Sequence, residues 1–176
     1  MRAALGFLYK VSGHLAGFFL VAIAALSLMQ IGGRLAGFAA HSYDEFAGYC
    51  MAASSFLGLA YTLRSNGHIR MTLLLHHIRA RPRRVLEIAC LAAATLLVGF
   101  FTWFAGDMVW FSYTTHDVSQ GLVPVPLWLP QSGMALGLAV LLLALLDDLI
   151  VALRGGVNSY DAAEAERGRA GPGFER

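Results

Sequence analysis

Apolar residues in this chain fall into four long runs divided by shorter polar stretches: Val11 to Ile31, Phe46 to Leu63, Ile88 to Gly106 and Leu127 to Leu146, none of which contains Asp, Glu, Lys or Arg. Each is about the length that lets an α-helix, rising ~1.5 Å per residue, cross ~30 Å of hydrocarbon. The pattern predicts an all-α membrane protein whose four transmembrane helices span about 11–31, 46–63, 85–110 and 127–150, within one domain of residues 1–154. A fifth stretch has a different texture. Between spans two and three, Ile69, Met71, Leu73, Leu74, Leu75 and Ile78 are interleaved with basic groups, which predicts a short amphipathic segment lying flat on the membrane surface. Asn66-Gly67 supplies a turn before it, and Pro82 suits the first turn of the next helix. Residues 155–176 are polar and rich in Gly, Ala and charge, so a flexible tail is expected there.

Composition strengthens the bilayer reading, with 57% hydrophobic and 14% charged residues. Charge gives it a direction. Of the 13 Lys and Arg residues, 12 flank the runs on one side and only Arg34 lies on the other. Basic residues are retained on the cytoplasmic face, so both termini and the 64–84 stretch are expected inside. Arg2 and Lys10 ahead of a long first run suit an uncleaved first helix better than the short core of a secretory signal. Arg79, Arg81, Arg83 and Arg84 are expected at lipid headgroups, each contributing on the order of 1 kcal/mol near an anionic leaflet. Topology alone accounts for this basic cluster, so membrane lipids are the expected partner and nucleic acid is not. Trp103, Trp110 and Trp128, with Phe104, Phe111 and Tyr113, mark the opposite interface.

Several chemistries fail on placement. Cys50 and Cys90 lie near opposite ends of their spans, roughly 15 Å apart in depth, and cannot pair. Of six histidines only His14 falls inside a span, so paired haem ligands are missing, and the adjacent His76-His77 lack the spacing of a metal pair. The runs offer no carboxylate at mid-depth and no central proline from which a transport site could be built. No catalytic, substrate-binding, metal or cofactor residues are therefore expected. A self-sufficient small exporter and a four-helix redox protein remain the alternatives from other classes. Asp44-Glu45 read either as first-turn charge matching or as a contact to a partner. Asp147-Asp148 read as pairing with nearby arginines rather than as ion coupling. Gly13-x-x-x-Gly17, Gly133-x-x-x-Gly137 and the Gly48, Ala52, Ser55, Gly58 series are expected at helix contacts.

The stretch "FLGLAYTLRSNGHIRMTLL" at 56–74 resembles the signature of the small membrane subunit of tripartite ATP-independent periplasmic (TRAP) transporters, the DctQ family, with Gly67-His68-Ile69-Arg70 as its core and Gly58 ahead of it. "DEFAGY" at 44–49, with Asp44 and Glu45, and "VPVPLWLPQSGMALG" at 123–137, with Pro126, Trp128, Pro130 and Gly137, are similar to further family features. Met71-Thr72 departs from the Val-Asp common in the family, and the tail after Arg154 matches no pattern. The resemblance implies a scaffold in a bacterial inner membrane, partnered by a large permease subunit and by a periplasmic solute-binding protein. It also implies uptake by symport, typically of a carboxylate with sodium, with solute and sodium sites in the large subunit.

Overall fold

A computed structural model describes residues 2–37, 42–64 and 80–154, the side chains of 2–4 and 80–83 excepted. Among the described residues four α-helices follow one another: α1 (Arg2–Leu35), α2 (Tyr43–Arg64), α3 (Ala80–Thr115) and α4 (Trp128–Leu153). All four are long and apolar enough to cross a membrane. The amphipathic segment expected at 69–78, the turn at Asn66-Gly67 and the tail at 155–176 lie outside the described residues.

α1, α2 and α3 run beyond both ends of their apolar runs and α4 beyond the far end of its own, because nothing in those flanks breaks the helix. The 34 residues of α1 and the 36 of α3 extend to about 50–55 Å, well past the hydrocarbon thickness. The 22 residues of α2 and the 26 of α4 come closer to it. Where helices stop, the cause is local. α1 ends at Gly37, whose φ of 77° is open to glycine without a steric penalty. α3 ends at His116, at φ 55°, where the amide of Asp117 donates to the carbonyl of Ser112 at 3.1 Å in a Schellman arrangement. At its start, Pro82 occupies the first turn, where its missing N–H leaves no bond unmade.

The helices form an open row in the order α1, α2, α4, α3. Extensive contacts join α1 to α2, α2 to α4 and α4 to α3, whereas α1 meets α4 only marginally. Tyr9, Ala60, Leu91, Leu141, Ala144, Leu145 and Ala152 make the buried cluster, flanked by Leu63, Ile88 and Leu149. It lies toward the end of the row where α2 and α4 finish. The inner position of α4 shows in its burial: 39% of its most apolar stretch is buried, against none of that of α1. The outward faces of α1 and α3 are apolar and exposed, as with Phe18, Leu28, Leu96 and Phe100.

Small residues set the spacing. A Cβ at Gly137 would stand 2.5 Å from the carbonyl carbon of Phe56 and 2.7 Å from the nitrogen of Leu57, so α4 meets the backbone of α2 directly. One Cβ at Gly133 would lie 3.2 Å from that of Ala53, and one at Gly13 would strike the ring of Tyr61 at 2.8 Å. Gly58 faces Ala16 at 3.6 Å. Gly17 and Gly48, expected at contacts, meet nothing within 4 Å, because the partner helix leaves their faces open.

Gly137→Ala should therefore cost about 1–3 kcal/mol by overpacking against backbone that cannot move aside. Gly48→Ala should be neutral or stabilising by up to about 1 kcal/mol, since helix propensity improves and no atom lies within 4 Å. Thermal unfolding of both variants in detergent, beside the parent, checks the contrast.

Candidate functional site

Polar side chains in this chain do their work between helices. At the end of the row where α2 finishes, Arg64 in its last turn forms an ion pair with Asp147 of α4. The Arg64 guanidinium carbon also lies over the ring of Tyr9 of α1, 4.6 Å from its centroid. One cation thus joins three helices. Tyr9 and the neighbouring Asp148 are almost fully buried, at 2% and 1% exposure. The electrostatics are coherent: Arg64 suits the negative end of α2, and carboxylates near the negative end of α4 become tolerable with a cation beside them. Arg84 extends the same logic to α3, donating from Nη2 to the carbonyl of Ala152 in the last turn of α4 at 3.4 Å.

Along the α1–α2 seam, hydroxyls replace charge. Ser12 donates to the carbonyl of Leu57 at 2.5 Å, and Ser54 donates back to the carbonyl of Ala16 at 2.8 Å. These bonds form beside Gly13 and Gly58, where the backbones are close enough for a short side chain to reach across. His14 lies exposed with Nδ1 2.7 Å from the carbonyl of Lys10, a bond within its own helix turn. Cys50 and Cys90 are both free.

At the opposite end, Glu45 in the first turn of α2 accepts a hydrogen bond from the Tyr49 hydroxyl at 2.6 Å. Its carboxylate occupies the space that a Cβ at Gly121 would need, so the loop between α3 and α4 closes over it. That loop is organised by Ser119: its amide donates to Val125 at 2.8 Å, its hydroxyl donates to Val123 at 3.3 Å and accepts from the amide of Val125 at 3.3 Å. A bridge between Val118 and Pro126 flanks the turn. Trp128 meets Tyr113 edge to face, with centroids 5.8 Å apart, and ties the start of α4 to α3.

The residues singled out in the sequence are therefore dispersed. Glu45 touches the α3–α4 loop, while its neighbour Asp44 is exposed. Gly58 and Gly137 lie at helix contacts, Pro126 in the loop bridge, Trp128 at the start of α4 and Pro130 in its first turn. Trp103 and Trp110 project from α3 at 76% and 67% exposure. Gly67, His68, Ile69, Arg70 and Arg79 lie outside the described residues, as do the side chains of Arg81 and Arg83. The pairing expected between Asp147-Asp148 and the arginine stretch is made by Arg64 with Asp147, whereas no feature of the sequence marks Tyr9 as the third member.

Removing one partner of the Arg64–Asp147 pair leaves a charge in a half-buried setting. Arg64→Ala and Asp147→Ala should each destabilise the chain by about 1–3 kcal/mol, less than breaking a fully buried pair. The double variant should lose less than the sum of the two, which a double-mutant cycle of denaturation midpoints in detergent reads directly.

A protein-family model described as tripartite ATP-independent periplasmic transporters, DctQ component, matches residues 10–155. No curated protein matches the chain.

Proposed function

The chain belongs to the DctQ component family of tripartite ATP-independent periplasmic transporters, and from that membership we propose that it acts as a stationary membrane frame for a large permease subunit. As a DctQ component it is the small subunit of such a transporter, a multi-pass transport protein. Beyond this, the proposed arrangement has both termini and the arginine stretch on the cytoplasmic side of a bacterial inner membrane, with the α3–α4 loop facing the periplasm. The skew of Lys and Arg supports that orientation. The transporter is proposed to take up a carboxylate-containing solute by symport, with sodium as the coupling ion, after delivery by a periplasmic binding protein. The solute and ion sites are assigned to the large subunit.

The observation that carries the mechanical reading is the use made of the polar groups near the membrane faces. Arg64 and Asp147 clamp one end of the row, and Glu45 holds the α3–α4 loop at the other. A permease whose mobile part shifts cargo needs a part that stays still, and a row braced at both ends widens that part with lipid-facing helices. The Gly67-His68-Ile69-Arg70 core is proposed to contribute to assembly rather than to solute binding.

Reconstitution tests the reading. Proteoliposomes holding the purified chain alone should show no gradient-driven uptake, whereas chain, large subunit and binding protein together should. Uptake by the small chain alone would instead support the self-sufficient exporter. Arg70→Ala should lower the yield of the two-subunit complex, and unchanged yield with unchanged uptake would remove the assembly role of the core. For orientation, a cysteine placed at position 79 should be protected in sealed cells from a label confined to the outside. Its modification would reverse the topology.

A further inference from the structure

The outward face of α3 carries an acidic side chain that the chain itself leaves unused. Asp107 is exposed, and among the described residues it makes no hydrogen bond or ion pair. It lines a groove of about 460 Å³ whose rims are Trp103 and Trp110 and whose far wall is Leu142 of α4. Gly99, Trp103, Gly106 and Trp110 recur at helical spacing, so two open bays alternate with two large knobs along one stripe.

The bay at Gly106 is not explained by packing within the chain, while that at Gly99 is bounded by α4. A Cβ at Gly106 would meet nothing within 4 Å, and one at Gly99 would meet only the Leu142 side chain at 3.7 Å. The outward face of α1 also has open glycines, at Gly17 and Gly32, and differs in charge. Leu15, Phe18, Val21 and Leu28 are exposed there, and no charged residue occurs between Lys10 and Arg34, which suits lipid. Asp107 stands at the height of the aromatic belt, where headgroups and water lower the cost of its charge. Yet no described group of this chain uses it, and it lines a groove with two indoles and a wall from α4 on the edge helix of an open row, which suits a protein neighbour. Its charge calls for a cation, and indole rings attract the same charge.

We propose that this groove is the seat of a helix from the large permease subunit, which places a Lys or Arg against Asp107 and packs against the bays at Gly99 and Gly106. The inference rests on the reading of the chain as a frame for that subunit. It selects α3 rather than α1 as the joining edge and leaves α1 to lipid.

The test uses the two membrane subunits expressed together, with a photo-crosslinking phenylalanine analogue placed at Thr102 in one version and at Phe18 in another. Illumination should join the small chain to the large subunit from position 102 and not from position 18. Asp107→Lys and Gly106→Leu should each reduce the large subunit recovered with the small one by about tenfold, through charge repulsion and a filled bay respectively. Purified alone, both variants should melt with the parent chain, since neither site is packed within it. Adducts from position 18 but not 102, adducts from 102 only to lipid or to a second copy of this chain, or undiminished recovery of both variants would overturn the groove assignment while leaving the frame reading intact. Failure of the unsubstituted chains to be recovered together would overturn both.

Discussion

Hydrocarbon solvates leucine as well as another leucine does, so apolar contact by itself gives membrane helices little reason to choose one neighbour over another. Adhesion in this chain must come from close backbone approach and from hydrogen bonds that lipid cannot supply. The meeting of Gly137 with the backbone at Phe56 and Leu57 is the tightest such approach, and it places α4 beside α2. From that contact the row follows. α1 joins the other side of α2 through Ser12, Ser54 and Gly13, and α3 is left with the outer face of α4.

α2 is braced at both ends. Its last turn places Arg64 against Asp147 and Tyr9, reaching α4 and α1 together, and its first turn places Glu45 under the loop that leads into α4. Both polar devices lie near helix termini, where water and headgroups lower the cost of charge; the dipole of α2 favours Arg64 and Glu45 as placed, and Arg64 offsets the unfavourable position of Asp147 near the negative end of α4. Away from the ends, the described side chains that join helices are hydroxyls beside glycines and small or apolar residues rather than charges. This division matches charge to depth and gives a layer whose rigidity does not depend on a closed bundle. Its two long edge helices remain available to lipid or to other protein.

An open row has consequences for function that a closed bundle would not. A bundle hides its helix faces inside, whereas this chain buries mainly those of α2 and α4 and presents two broad surfaces of unlike character. The α1 surface also has open glycines, at Gly17 and Gly32, but carries no Asp, Glu, Lys or Arg between Lys10 and Arg34. The α3 surface alternates aromatic knobs with bays and carries a carboxylate. The proposed frame role calls for one edge that joins and one that faces lipid, and the difference in charge between the two edges fits that distinction.

Much of this was legible in one dimension. Four apolar runs gave four helices, Pro82 and the acidic pair at 44–45 lay in first turns as expected, and the motif stretch pointed to the family that the match over 10–155 shows. Hydrophobicity and charge report depth in the membrane, and depth is a coordinate the linear sequence records because each helix crosses it in order. Lateral order is not recorded in that way. Nothing in the spacing of residues says that α4 sits between α2 and α3, that Gly13 and Gly137 are packed while Gly17 and Gly48 are open, or which arginine of the 64–84 stretch meets Asp147 and that the ring of Tyr9 joins them. In lipid those choices rest on a few close approaches and shared hydrogen bonds between distant segments. Only the assembled helices bring their donors, acceptors and missing side chains to the same depth and the same face.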